Sequence, residues 1–205
     1  MTQPRLRIAS LLPRSVAHGP GQRFVVWVQG CSLGCAGCFS ASTHSRWGGT
    51  RWPVPALAEE ILATQGIEGV TISGGEPFEQ PAALAALLDL LRGTGLTVVC
   101  YSGFTLEELR RKRCPHVDRL LAHLDLLIDG RFIAAKSSTL RWRGSNNQQV
   151  HFLTNVYDQL RGDDNATSHV ELIASSHGLT TTGIWPAGFL QQVRALTRGV
   201  KDDAI

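Results

Sequence analysis

The sequence lacks the features of membrane, secreted and nucleic-acid-binding proteins. No apolar stretch approaches the ~20 residues that a helix needs to span a bilayer. The N-terminus has no apolar core of the kind found in secretory signal peptides. The net charge is only +3, and there is no run of five or more basic residues. We therefore expect a cytoplasmic protein that binds neither membranes nor nucleic acid.

Cysteine is scarce, and its distribution argues against a disulfide framework. The sequence has five cysteines, an odd number. Cys31, Cys35 and Cys38 form a C-x3-C-x2-C group directly after the apolar run Phe24–Val28. In a reducing compartment such a group is more typical of a metal site. Because this loop has no fourth cysteine, its three thiolates suit a cubane iron–sulfur cluster with one iron left open.

Zinc is the main alternative for this loop. His44 lies six residues after Cys38 and could be a fourth ligand, since structural zinc needs four protein ligands. The usual zinc signature, however, pairs two C-x2-C units, and only one is present. The spacing therefore favours a cluster over zinc, and both over three inert cysteines.

Strand-like and helix-like segments alternate between Phe24 and Asp129. Apolar, β-prone runs at 24–29, 70–72, 97–101 and 126–128 are separated by helical patterns. This order predicts an α/β fold with a parallel sheet and right-handed crossovers. A closed eight-stranded barrel usually takes ~250 residues. A chain of 205 residues is therefore expected to form a partial, open parallel β/α barrel. The segment from the cysteines to about Pro53 is predicted to be a long loop.

The last part of the sequence has a different pattern. Val170–Ala174 and Leu179–Ile184 predict a β-hairpin, and apolar residues from Phe189 onward predict a closing helix. We expect residues 1–155 to form the core, and residues 156–205 to form a hairpin–helix extension of the same domain.

Glycine or polar residues follow three further core strands. The segments are Ser73–Pro77, Ser102–Gly103 and Asp129–Gly130. Functional groups collect at the carboxyl ends of strands in parallel α/β folds. The two glycines before Glu76 allow a ligand close to the backbone, and its carboxylate can accept a hydrogen bond or pair with an ammonium group. Each segment alone could be a plain turn, but together with the cysteines they predict one site.

Two other features have no single interpretation. Arg141–Gln148 is either a polar loop or a place where an arginine holds a carboxylate or phosphate. The histidines at 18, 116, 123, 151, 169 and 177 show no ligand spacing, and most of them are expected at the surface.

These residues together resemble the radical S-adenosylmethionine superfamily. Its two best-known marks are C-x3-C-x2-C after the first core strand and Gly-Gly-Glu-Pro after the second, as found here at 31–38 and 74–77. The closer resemblance is to the activating proteins of anaerobic ribonucleotide reductase. The segments that carry that resemblance are Gly19–Phe24 followed by Val28–Cys31, the cluster loop Cys35–Cys38, Tyr101–Leu109, Leu127–Phe132 and Trp142–Gln148.

The resemblance implies radical chemistry. Cys31, Cys35 and Cys38 would hold a [4Fe-4S] cluster, whose fourth iron would bind S-adenosylmethionine. One electron from the cluster would cleave the sulfonium bond and give methionine and a 5′-deoxyadenosyl radical, which removes a hydrogen atom from the substrate. In an activating protein the substrate is a glycine of a glycyl radical enzyme, and the electron donor would be a flavodoxin- or ferredoxin-like protein.

The same resemblance assigns the remaining cofactor contacts. The methionine end of the cofactor would lie against Gly74, Gly75 and Glu76. Its adenine would pack near Gly37 and Phe39, and its ribose or sulfonium near Ser102 and Asp129.

Three residues beside the cysteines depart from the activating proteins. Phe39 replaces a usual histidine, Ser40 a common asparagine and His44 a frequent tryptophan. Because these departures lie at the predicted cluster, a stand-alone radical enzyme acting on a peptide or small metabolite is an alternative. A zinc-binding interaction module without catalysis is a third hypothesis.

Overall fold

A seven-stranded sheet with a parallel centre forms the main body of the protein. The computed structural model describes residues 3–163, 166–175, 178–186 and 188–196. The sheet strands are β1 (Arg5–Ser15), β2 (Arg23–Val28), β3 (Thr50–Pro53), β4 (Gly69–Gly74), β5 (Thr97–Ser102), β6 (Leu126–Asp129) and β7 (Gln149–Phe152). Their order is β3-β1-β2-β4-β5-β6-β7. β2, β4, β5 and β6 are parallel, and the outer pairs are antiparallel. In the part of the chain that is described the sheet stays open, which confirms the predicted fold class.

The first four of the five described α-helices cover one face of this sheet. The five helices are α1 (Val54–Ala63), α2 (Pro81–Leu91), α3 (Leu106–Arg111), α4 (Pro115–Leu121) and α5 (Phe189–Leu196). The first four follow the strands they connect, and their leucines pack on Phe24, Val26 and Ile72 in one buried core. Every residue of β2 is buried, as expected of a strand covered on both faces. Alternate strand residues therefore point away from the helices into a second cluster around Val99 and Ile128.

A two-stranded hairpin lies against the connection between β1 and β2. It consists of β8 (Val170–Ser175) and β9 (Gly178–Gly183), which pair antiparallel. The Glu171 carboxylate accepts hydrogen bonds from the Val16 N–H at 3.1 Å and from the Ser15 hydroxyl. The hairpin is thus attached to the connection between β1 and β2.

A buried arginine joins the amino ends of the parallel strands. Arg23 is fully buried at the start of β2. Its guanidinium donates to the carbonyls of Val70 at 2.7 Å and Thr97 at 2.9 Å, and to the hydroxyls of Thr71 at 3.2 Å and Tyr157 at 3.1 Å. Burial lowers the pKa of Arg23. A single side chain on β2 therefore supplies donors to two further strands, β4 and β5, and to the segment after β7.

One part of the sequence prediction was wrong. The loop predicted to reach Pro53 ends earlier, because Thr50–Pro53 forms β3 and pairs with Arg5–Ile8 of β1. β3 is an edge strand whose side chains are exposed or half-buried, so it lacks the apolar run that identifies a buried strand. No described helix is long and apolar enough to cross a membrane.

The histidine prediction was also wrong in part. His116 and His169 are exposed, as expected, and His177 lies outside the described residues. The side chain of His123, however, is only 7% exposed and lies 2.9 Å from Asp89 Oδ1. His151 and His18 are half-buried and hydrogen-bonded. Tertiary contacts, which leave no spacing pattern in a sequence, explain these three positions.

Candidate active site

The carboxyl ends of the four parallel strands lie at one edge of the sheet. The register pairs Val28 with Gly74, and Ser102 with Asp129. The segments that follow these strands surround a cavity of about 160 Å³. Its lining includes six of the residues predicted for the site: Cys31, Cys35, Cys38, Gly74, Gly75 and Glu76. The structure thus brings the two principal sequence motifs together.

The cysteine loop is held by its backbone, and its thiols are free. The Gly30 N–H donates to the Thr43 carbonyl at 2.8 Å, and the Cys31 N–H to the His44 carbonyl at 3.1 Å. Cys31, Cys35 and Cys38 are half-buried free thiols. Gly37 has a φ of +73°, a left-handed conformation that permits the turn between Cys35 and Cys38. Three soft sulfur donors on one loop at a cavity fit the donor set of an iron–sulfur cluster.

The geometry gives no support to the zinc alternative. Across the described ranges, no three Cys, His, Asp or Glu side chains are placed to hold a single metal ion. A structural zinc site needs four such ligands around one point. In a cubane cluster, by contrast, each thiolate binds its own iron, so the three sulfurs need not converge.

The Gly-Gly-Glu turn lies directly against the start of the cysteine loop. The Gly75 N–H donates to the Val28 carbonyl at 2.7 Å, and the Glu76 N–H to the Gly30 carbonyl at 2.8 Å. A Cβ atom at Gly75 would lie only 2.2 Å from the Gly30 carbonyl oxygen. Glycine is therefore required there by contact between two backbones, which ties the turn to the residue before Cys31.

Glu76 is buried and accepts three hydrogen bonds. Its Oε1 accepts from the Phe78 N–H at 2.9 Å and from the Ser102 hydroxyl at 2.9 Å. Its Oε2 accepts from the Gly103 N–H at 2.8 Å. The side chain is only 1% exposed. Glu76 therefore connects the ends of β4 and β5 as well as lining the cavity.

The other predicted cofactor contacts are placed unevenly. Phe39 and Ser102 line the cavity. Asp129 does not, because its Oδ2 accepts from the Leu106 N–H at 2.6 Å and lies 2.8 Å from His151 Nε2. Gly37 also lies outside the lining, with the Phe132 ring 3.6 Å from where its Cβ would be. Contacts of Asp129 and Gly37 with a cofactor stay predictions.

The sequence and the site geometry agree with a known family. The family model described as a 4Fe-4S single cluster domain matches residues 17–151. The chain belongs to the 4Fe-4S single cluster domain family. The matched residues include the cysteine loop, the Gly-Gly-Glu turn and the ends of all four parallel strands.

Curated relatives confirm the closer resemblance. The anaerobic ribonucleoside-triphosphate reductase-activating protein of Vibrio cholerae is 34% identical over 153 residues, which are 69% of this chain and 95% of that protein. The protein of the same name from Escherichia coli K12 is 30% identical over 152 residues, which are 69% of this chain and 95% of that protein. Among solved structures, the crystal structure of QueE from Escherichia coli superposes on this chain with a TM-score of 0.41 and 20% sequence identity. The superposition covers 49% of this chain and 54% of the QueE chain.

Several residues of this 4Fe-4S domain site were not predicted from the sequence. Trp27 and Tyr101 line the cavity from the sheet, and His18 lines it from the connection between β1 and β2. Thr182 and Trp185 line it from the C-terminal segment. None of them belongs to a sequence motif whose residue spacing indicates a metal or catalytic site. The alternation of inward and outward residues along β2 and β5 could have identified Trp27 and Tyr101. The other three depend on long-range packing.

The polar segment Arg141–Gln148 also borders the cavity. Trp142, Gly144 and Gln148 line it, whereas Arg141 and Arg143 do not. Arg141 forms an ion pair with Asp163 at 2.6 Å. The Gln148 amide donates to the Gly130 carbonyl at 2.9 Å. The geometry therefore favours the interpretation of this segment as a structural loop at the site over that of an arginine clamp for an anion.

We expect the stability of the wild-type apoprotein, relative to Glu76→Gln, to fall as pH rises. Burial raises the pKa of Glu76 from 4.5 to about 7, and its three hydrogen-bond donors only partly offset this. The folded state therefore keeps a proton that the unfolded chain has released. The stabilisation from the protonated Glu76 is complete below the pKa that this group has in the unfolded chain. It declines as pH rises towards 7 and is lost above that pH. The total change is on the order of 3 kcal/mol.

Urea unfolding of both apoproteins between pH 4.5 and 8 measures this change. Glu76→Gln keeps the shape of the side chain but does not titrate, so it removes the pH dependence of every other group from the comparison. A constant difference between the two proteins across this range would contradict the expected titration of Glu76.

Proposed function

We propose that this chain is a radical S-adenosylmethionine activating enzyme that generates a glycyl radical on a partner such as anaerobic ribonucleoside-triphosphate reductase. The observation that carries the proposal is the contact between the cysteine loop and the Gly-Gly-Glu turn at one cavity. The family and the names of the curated relatives support it.

The residues present suit the two cofactors. Cys31, Cys35 and Cys38 would each hold one iron of a [4Fe-4S] cluster. When bound, the reduced cluster supplies the electron that cleaves the sulfonium bond of S-adenosylmethionine. Gly74 and Gly75 line the cavity and would lie beside the methionine end, while their missing side chains admit the backbones of Val28 and Gly30. These ligand assignments follow from the motifs and their positions.

The surrounding residues would position the cofactor and shield it. Glu76 is held by Ser102 and the Gly103 N–H, so its carboxylate orients the turn instead of moving freely. Phe39 and Trp27 present aromatic rings to the cavity. Apolar walls of this kind exclude water, which would otherwise quench a radical. The chain's own contribution is therefore orientation and exclusion of solvent.

Other parts of the proposal concern the protein's setting. A flavodoxin- or ferredoxin-like protein would deliver the electron in the cytoplasm, and neither membranes nor nucleic acid would be partners. We also treat residues 156–205 as an extension of the same domain as residues 1–155. The hydrogen bonds between Glu171 and the connection before β2 support that assignment.

Anaerobic reconstitution with iron and sulfide tests the proposed function. We expect iron and acid-labile sulfide to be bound, and dithionite plus S-adenosylmethionine to yield 5′-deoxyadenosine and methionine. With anaerobic ribonucleoside-triphosphate reductase added, an organic radical on that enzyme is expected in the electron paramagnetic resonance spectrum. Cleavage without this radical would favour the stand-alone enzyme, whereas bound zinc without iron would favour the interaction module.

A further inference from the structure

Charged residues are divided unevenly along the chain. The first 58 residues contain six arginines and no aspartate or glutamate, so all 17 acidic residues lie from Glu59 onward. The net charge of +3 therefore combines a strongly basic amino-terminal part with a net negative remainder. Four of the six arginines lie on β1, on β3 and on the segment between the cysteines and β3: Arg5, Arg7, Arg46 and Arg51.

Two of these arginines face each other across a strand pair. Arg7 of β1 lies directly opposite Arg51 of β3. Their side chains point away from the helices, because Leu6 and Ile8, which alternate with Arg7, are buried in the core that faces the helices. Like charges that lie directly opposite each other destabilise a sheet. Among the described residues, no carboxylate forms an ion pair with either arginine. The pair therefore weakens the sheet and leaves two positive charges without a counter-charge.

Trp47 lies on a loop that is fixed beside this pair. Trp47 is 91% exposed, so its indole contributes almost nothing to the core. The loop on both sides of it is held by the sheet: the Arg7 guanidinium donates to the Gly48 carbonyl at 3.3 Å, and the Gln29 amide to the Ser45 carbonyl at 2.7 Å. Tryptophan and arginine are enriched among the residues that dominate the binding energy of protein interfaces. A loop that is already fixed loses little conformational entropy when a partner binds to it.

The four arginines and Trp47 adjoin the cysteine loop, and we refer to these five residues as the Trp47 surface. The Cys31 N–H donates to the His44 carbonyl at 3.1 Å, and a Cβ atom at Gly30 would lie 3.9 Å from the Arg46 Cα. None of the five residues is part of the cavity lining in the described part of the chain. A molecule bound to the Trp47 surface therefore lies beside the proposed cluster and leaves the cavity open.

This position favours an electron carrier over the enzyme that provides the glycine. A substrate must reach the cavity, whereas an electron need only reach the cluster. The charge of the surface defines the carrier further, because arginines without counter-charges attract carboxylates. The partner that fits is a protein with an acidic surface around its redox group.

We infer that the Trp47 surface is the docking site for an acidic one-electron carrier protein. This inference rests on the proposed function and assigns one of its partners to a place on the chain. The arginines speed the approach of the carrier, and the Trp47 indole lies at the centre of the contact. One electron leaves the reduced carrier and enters the cluster, and no bond forms between the two proteins.

The affinity for a flavodoxin of strongly negative net charge tests this docking. Calorimetric titration of the reconstituted protein, without air and at several salt concentrations, gives the dissociation constant. Two variants change the surface: Trp47→Ala removes the indole, and Arg46→Glu with Arg51→Glu reverses two charges. The matched control for the second variant is Arg92→Glu with Arg110→Glu. It changes the net charge by the same amount at exposed positions that follow α2 and lie on α3, on the helix side of the sheet.

We expect each of the two surface variants to raise the dissociation constant by about tenfold or more. The affinity of the wild type should fall as salt rises, and the charge-reversed variant should show a weaker dependence on salt. The control should change the dissociation constant by less than about threefold at 0.1 M salt, because salt screens charges that lie more than ~10 Å from the contact.

A second measurement compares two reductants. Dithionite is a small molecule that needs no docking surface, so every variant should cleave S-adenosylmethionine with it at the wild-type rate. With a limiting amount of reduced flavodoxin, the two surface variants should be severalfold slower than the wild type, and the control should not.

The outcomes separate this inference from the proposed function. An unchanged dissociation constant in both surface variants would overturn the docking site, and so would an equal loss of affinity in the control. If duplex DNA displaces the flavodoxin at equal charge concentration, or if the surface variants weaken binding of anaerobic ribonucleoside-triphosphate reductase and not of the flavodoxin, the surface belongs to that partner and the inference is wrong. Absence of 5′-deoxyadenosine with dithionite would contradict the proposed function alone, because the titration needs no turnover.

Discussion

Cys35→Ala is expected to abolish reductive cleavage of S-adenosylmethionine. The variant keeps two of the three thiols that line the cavity, and two thiolates leave two irons of a cubane cluster without a protein ligand. We expect a loss of bound iron and of the cluster's visible absorption, and no 5′-deoxyadenosine above the background without enzyme. Iron and sulfide analysis after anaerobic reconstitution, with the same assay for 5′-deoxyadenosine, measures both effects.

Cys114→Ala is the matched control for this prediction. Cys114 is also a free, half-buried cysteine, but it lies at the start of α4 and does not line the cavity. This variant should bind iron and cleave S-adenosylmethionine as the wild type does. Full turnover by Cys35→Ala would rule out the proposed ligand set, even with the control intact.

Arg23→Met is expected to cause the largest loss of stability. The substitution keeps an unbranched apolar stem but removes every donor from a fully buried position. The carbonyls of Val70 and Thr97 then lose their guanidinium donor inside the protein. Each unsatisfied buried group costs about 1–3 kcal/mol, so we expect the free energy of unfolding to fall by about 3–5 kcal/mol.

Urea unfolding of the apoprotein measures this loss, with Arg111→Met as control. Arg111 pairs with Glu107 on the exposed surface of α3, where an ion pair contributes less than ~1 kcal/mol. A similar, small change in both variants would show that the buried contacts of Arg23 contribute little net stability.

The predictable part of the fold was the part with regular periodicity. The buried runs around Val26, Ile72 and Val99 defined a parallel sheet, and parallel strands place their carboxyl ends at one edge. That rule was enough to predict that the cysteines and Gly75 lie close together. β3 escaped prediction because it is a half-exposed edge strand of four residues.

The candidate site was predictable only where residues form motifs. Cys31, Cys35 and Cys38 have a spacing, and Glu76 follows two glycines, so both could be found from the sequence. Trp185 and His18 are single residues whose places depend on how the extension packs against β2. No local pattern encodes that contact, and the same holds for Asp129, whose carboxylate faces α3 instead of the cavity.

The backbone contact between Gly75 and Gly30 has a consequence for electron flow. Hydrogen bonds from the Gly-Gly-Glu turn end on the Val28 and Gly30 carbonyls, immediately before the first sulfur donor. A molecule resting on that turn therefore shares one rigid frame with the loop that would hold the metal. The distance between that molecule and the backbone of the cysteine loop is then set by main-chain hydrogen bonds, and only the cysteine side chains add a variable part to the gap that an electron would cross.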